Sequence, residues 1–175
     1  MKKTNPIIRF VKHTFSHPWQ AKRYFSAAAL HNIEQAIQTS EKTHTGEIRF
    51  IVETGLHPLE ILYKKTPKKR ALELFGRLNI WDTEHNNGVL IYLLLVDRDV
   101  EIVADRGINK HVGYAGWDKI CHDMESLFRK GEFEAGVLQG IAEISAALEK
   151  HFALTADGSL TGLNKNEISN KPLIF

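Results

Sequence analysis

Cysteine, long apolar runs and early acidic residues are what this 175-residue sequence has least of, and each scarcity excludes something. Cys121 stands alone, so no intrachain disulfide forms and no zinc site of the multi-cysteine kind is available. Its setting, Ile120-Cys121-His122-Asp123-Met124, reads as helix, where a core thiol is the plainer reading and a reactive thiol the other. The longest apolar run, Val89–Val96, is under half the length of a membrane-spanning helix. The amino terminus has no apolar stretch of signal-peptide length, so the expectation is a cytoplasmic protein without a transmembrane segment. No EF-hand, phosphate-binding loop, zincin or nucleophile-elbow spacing occurs.

Acidic residues are missing from the start of the chain. Lys2, Lys3, Arg9, Lys12, Lys22 and Arg23 all precede the first carboxylate, Glu34, although the whole chain carries a net charge of only +2. Residues 1–25 therefore read as a basic arm, either simply solvated or in contact with an anionic partner: a membrane surface, a protein complex or, least of all, nucleic acid, for which no recognition motif is present.

The remaining composition, 43% hydrophobic and 25% charged, is that of an ordinary globular chain, long enough for one real core. It is organised around Trp81–Gly107. An eight-residue apolar run followed by alternating Val100–Ala104 predicts an antiparallel pair turning at Arg98-Asp99, with paired residue numbers summing to about 197. That pairing sends Asp105, Arg106 and Gly107 back toward the polar loop Asp82–Gly88, with Asp105 about three residues, roughly 10 Å, inside the sheet edge.

Before this hairpin, Asn5-Pro6 looks like a cap and first-turn proline for a short helix carrying Ile7, Phe10, Val11 and Phe15 on one face. Ser26 caps a second helix, with Leu30, Ile33 and Ile37, that runs to about Glu41. Glu47–Glu53 alternates as a strand, placing Ile48, Phe50 and Val52 on one face and Glu47, Arg49, Ile51 and Glu53 on the other. Three charges on a sheet face imply an exposed rim, internal pairing of Arg49 with its acidic neighbours, or a pocket. A helix from Pro67, burying Ala71, Leu74, Phe75 and Leu78, then makes the crossover to a parallel second strand. The link Thr54–Tyr63 shows no clear structure, and Ile108–Gly116 reads as a loop. Helices follow at Trp117–Lys130 and Phe133–Phe152, the latter with Gly136 and Gly140 spaced for close packing. Domain bounds are expected at 26–152, with a mobile tail over 153–175 in which Pro172–Phe175 has the composition to dock.

Four segments in order, Ala71–Phe75, Asn86-Asn87-Gly88-Val89-Leu90-Ile91, Val100-Glu101-Ile102 and Phe128–Val137, resemble the TPM domain family. The resemblance runs from about Ser26 to Phe152. It implies an α/β fold: an α-β-α sandwich with a mixed sheet of about four strands and helices on both faces. It also implies an association with acid phosphatase activity, with divalent cations, calcium in particular, and with the upkeep of membrane complexes. Many relatives carry an export signal, a membrane helix and a glycine-rich end to the third strand. Here Ala104-Asp105-Arg106-Gly107 stands at that strand end, and the acidic loop Trp81-Asp82-Thr83-Glu84 resembles a cytosolic subgroup.

Parallel strands share an edge, so Glu47 is expected beside Asn87-Gly88, converging with Asp82, Glu84 and Asp105. Carboxylates about 5 Å apart repel by about 3 kcal/mol at an effective dielectric near 20, so such a cluster needs a cation, a proton or arginines. Oxygen donors without thiols suit magnesium, calcium or manganese. Arg49, Arg70 and Arg106 are the rival counter-ions. One expectation is docking on a membrane or protein complex through the exposed hairpin or the amphipathic start, and two more concern the acidic edge. One is an accessory module that holds a divalent cation or a partner at this acidic edge. The other is a metal-assisted phosphatase in which Asp82, Glu84 and Asp105 hold the ion, Arg106 or Arg49 clamps phosphate, and Asp105 is the candidate nucleophile.

Overall fold

The computed structural model describes residues 5–154 and 164–175. Helix α1 (Pro6–Thr14) begins where Asn5 accepts a hydrogen bond from the Ile7 amide and Pro6 fills the first turn. A 3-10 turn (Pro18–Gln20) and the short α2 (Ala21–Tyr24) lead to α3 (Ala27–Ser40), capped by Ser26 as expected. Strand β1 (Glu47–Glu53) follows, buried along its whole length. The link Thr54–Tyr63 contains a helix, α4 (Pro58–Leu62), started by a reciprocal cap between His57 and Glu60. Its five residues are too few to show a periodicity.

After α5 (Pro67–Arg77), strand β2 (Gly88–Leu94) runs parallel to β1, and β3 (Asp99–Ala104) returns antiparallel to it. The turn differs from the expected one. Tyr92 faces Glu101 and Leu94 faces Asp99, so the reversal centres on Val96-Asp97 rather than Arg98-Asp99. Arg98 takes the left-handed conformation at the end of this wider turn. Asp105 consequently lies at the sheet edge, its amide donating to the Gly88 carbonyl at 2.9 Å, instead of three residues inside.

The expected loop at Ile108–Gly116 is helical. Helix α6 (Arg106–Lys130) starts at once after β3 and breaks at Gly113, whose φ of 68° only glycine adopts without strain. Helix α7 (Phe133–Phe152) packs along α6, with Gly136 and Gly140 against Phe128 and Met124. Where the sequence reads as a mobile tail, residues 164–175 lie on the sheet, and β4 (Leu173–Ile174) pairs in parallel with β1 beside Ile51 and Val52. The rest of the expected tail beyond Leu154, residues 155–163, lies outside the described residues.

The sheet order is β3-β2-β1-β4. One face carries Ile48, Phe50, Val52, Val89, Ile91 and Leu93 into the core made with α3, α6 and α7. The opposite face carries Ile51, Leu90, Tyr92 and Leu94 against α4, α5 and Ile168 of the C-terminal segment. The architecture is α/β, a mixed four-stranded sheet with helices on both faces.

Candidate functional site

The edge at which β1 and β2 begin and β3 ends is set by two glycines. A Cβ at Gly88 would run into the Ile80 carbonyl, and one at Gly107 into the Asn86 and His85 carbonyls. Both positions let the loop Asp82–Asn87 lie directly on the strand ends. Glu47 faces Gly88, and Gly88 accepts from Asp105, so three strands meet in line here.

Glu47, Glu84 and Asp105 lie near this edge, each engaged differently. Glu47 is buried and accepts the amides of Glu167 and Ile168 at 3.1 and 3.3 Å. Burial outweighs those bonds and pushes its pKa up to about 7. Glu84 is exposed and pairs with Lys165 at 2.9 Å, which holds its carboxyl below the usual range. Asp105 caps α6, Oδ1 accepting the Arg106 amide at 2.6 Å, while its Oδ2 is buried without a partner among the described residues. Asp82 is exposed. Among the described residues, no three His, Cys, Asp or Glu side chains are grouped to hold a metal ion.

The arginines are committed too. Arg106 donates from Nε to Asn86 Oδ1 at 3.0 Å. Arg49 is buried, and burial pulls its pKa down. It donates to the Ser169 carbonyl and pairs with neither Glu47 nor Glu53 among the described residues. Glu53 takes Arg70 on both oxygens at 2.8 Å and the Tyr92 hydroxyl at 2.8 Å. The edge therefore holds the backbone of residues 167–169 through a carboxylate for its amides and a guanidinium for its carbonyl.

Several participants carry no sequence signal. Glu41, at the end of α3, reaches the Ile48 amide at 3.0 Å, and burial together with nearby Glu47 raises its pKa to about 8. His44 is fully buried, with Nδ1 3.1 Å from the Gly46 carbonyl. That nitrogen carries the proton, because a carbonyl accepts only, and burial lowers the pKa of the ring. Asn87 donates to Thr45 Oγ1 at 3.0 Å. Cys121 is half-buried and packs against the core, its pKa pushed up to about 12 by burial.

A second surface lies at the opposite end of the strands. Arg9 Nε and His13 Nε2 reach Asp97 at 2.9 and 3.2 Å, and His13 Nδ1 accepts the Leu56 amide at 2.9 Å. Arg9 and His13 are one helical turn apart, and the opposite stripe of α1 is apolar. Ile7 and Phe15 are 72% and 71% exposed, with Ile8 and Val11 between them. On the adjoining α4, Leu59, Leu62 and Tyr63 are exposed as well, and Trp19 follows α1. The helix is thus fastened by its polar side and turns its apolar side outward.

The family model described as TPM domain matches residues 20–147. The chain belongs to the TPM domain family. The BA42 protein of the psychrophilic bacterium Bizionia argentinensis has a similar solution structure, with 30% sequence identity and a TM-score of 0.72. That match covers 85% of this chain and 94% of that one. The N-terminal domain of a protein from P. gingivalis is similar in fold at 17% identity and a TM-score of 0.61, over 87% and 96% of the two chains. Among curated proteins there is no match. In this TPM chain α1, Glu167 and Ser169 all lie outside the residues the family model matches.

Proposed function

We propose that this TPM chain is a non-catalytic accessory module that docks a partner on the apolar face of α1 and α4, while its acidic edge fastens its own C-terminal segment. One observation carries the reading: Arg9 and His13 hold α1 to Asp97 and Leu56, so that Ile7, Val11 and Phe15 point away from the domain. Fully burying one such side chain is worth about 1.5–3 kcal/mol. A helix that leaves several in water is shaped for an apolar surface that covers them.

Cation binding and metal-assisted hydrolysis of phosphomonoesters have less support. Their donors would be Asp82, Glu84, Asp105 and Glu47, yet Glu84 faces Lys165, Asp105 caps α6 and Glu47 takes two amides.

The test is fractionation of cells that produce the full chain, wild type against an Ile7→Ser, Val11→Ser, Phe15→Ser variant of unchanged melting temperature. The wild type is expected in a membrane or high-mass fraction and the variant free. Identical distribution of the two overturns docking through this face. Calcium- or magnesium-dependent phosphomonoester turnover that is lost in Asp105→Asn, Glu84→Gln would overturn the non-catalytic reading.

A further inference from the structure

Resting on the docking reading, we infer that the partner of the α1–α4 face is the surface of an anionic lipid bilayer. Shape and charge both enter. The stripe Ile7, Ile8, Val11 and Phe15 lies along the outer side of α1, with Trp19 beyond its end and Leu59, Leu62 and Tyr63 on the helix it packs against. An apolar helix face with aromatic residues beside it is the form that settles at the boundary between headgroups and acyl chains.

The first thirty residues, which include α1, carry charge of one sign. No Asp or Glu occurs before Glu34, and Lys2, Lys3, Arg9, Lys12, Lys22 and Arg23 precede it. Lys12, Lys22, Arg23 and Lys64 are exposed and enter no ion pair among the described residues. The acid of α4, Glu60, pairs with Lys65 at 2.7 Å, which also meets Glu73 at 2.6 Å. Cations beside an anionic leaflet each add roughly fivefold to binding. A second copy of the chain is the poorer occupant, because two-fold pairing of this face would set its cations against the same cations. Among the described residues no helix is long and apolar enough to cross a membrane, so the contact is one of lying on the surface.

The experiment is cosedimentation of the purified full chain with vesicles of phosphatidylcholine mixed with phosphatidylglycerol, and with pure phosphatidylcholine vesicles, over a salt series. Light scattering of the protein alone runs beside it. Expected are binding to the mixed vesicles at least about tenfold above the neutral ones and loss at high salt. Lys12→Glu with Lys22→Glu should lower binding by more than about tenfold, as should Ile7→Ser, Val11→Ser, Phe15→Ser. No binding to the mixed vesicles overturns the inference, as does binding that neither variant weakens. If the apolar variant fails to fold, the charge reversal and the salt series decide by the same criteria. A dimer that the apolar variant abolishes, with no vesicle binding, overturns the bilayer and leaves docking standing. Absence of both, together with unchanged cell fractionation, removes docking as well.

Discussion

His13 and Asp97 meet at 3.2 Å across 84 positions of chain, joining the first helix to the turn between β2 and β3. His13 Nδ1 accepts the Leu56 amide while Nε2 faces Asp97, so the ring joins two loops. The outward direction of the apolar stripe depends on this carboxylate together with the Leu56 amide.

Asp97→Ala is therefore expected to release α1. Burial on its own would raise the Asp97 pKa, but His13 and Arg9 outweigh it and hold the carboxyl below its ordinary range. Such a group stabilises the fold above its unfolded pKa, near 4, and loses that contribution as pH falls through the lower folded value. The wild type should keep α1 docked at neutral pH and loosen it only in acid. The variant should be cleaved by protease within residues 5–20 at neutral pH and be less stable to urea by about 1–3 kcal/mol.

The contribution of Glu41 and Glu47 to stability should fall as pH rises from about 5 to about 8. Glu41 and Glu47 are raised by burial to about 8 and about 7, so the folded chain holds protons that the unfolded chain has already lost. Their contribution is complete below the unfolded carboxylate pKa and disappears as pH climbs through the folded values. Glu41→Gln keeps an acceptor for the Ile48 amide and has no charge to bury. Its melting temperature should exceed that of the wild type at pH 8, and the difference should shrink at pH 5. Equal slopes of melting temperature against pH would contradict the assignment.

The Glu53 carboxylate is expected to be the costliest group to strand. Arg70 covers both oxygens at 2.8 Å, Tyr92 adds its hydroxyl, and the pair raises the Arg70 pKa in return. Arg70→Ala leaves a buried charge unpaired and should cost about 3–5 kcal/mol in urea unfolding, against about 1 kcal/mol for Tyr92→Phe. Replacing Glu53 and Arg70 together by leucine should recover most of the larger loss.

Periodicity made much of this architecture legible. The caps at Asn5 and Ser26 belong to residue types that serve as caps, the alternation of Glu47–Glu53 placed its two faces correctly, and the crossover implied parallel strands. The hairpin centre was not legible, because Val96 continues the apolar run and hides a turn that starts within it. A shift of that centre moved Asp105 to the strand end, where it became a helix cap, and turned the expected loop after Gly107 into helix. Charge partners were the least legible. Arg49 lies between two glutamates on one strand face, yet Glu53 is met by Arg70 from α5 and Glu47 by backbone amides from 120 residues away. Such pairings are fixed by tertiary packing, which the local pattern does not encode.

That distant segment offers the last contrast. Ile168 enters the core beside Ile51, Leu56 and Ile80, while Lys165 and Glu84 form an exposed ion pair above it. Both contacts tie the C-terminal strap to the acidic edge, but removing apolar bulk leaves a cavity, whereas an exposed pair is replaced by water. Ile168→Ala should cost about 2–4 kcal/mol and speed hydrogen exchange at the Glu167 and Ile168 amides that Glu47 receives. Lys165→Ala should leave the melting temperature and that exchange unchanged. If Lys165→Ala instead frees the amides, the strap is held by its surface charge, and the buried contacts of Ile168 and Glu47 are secondary to it.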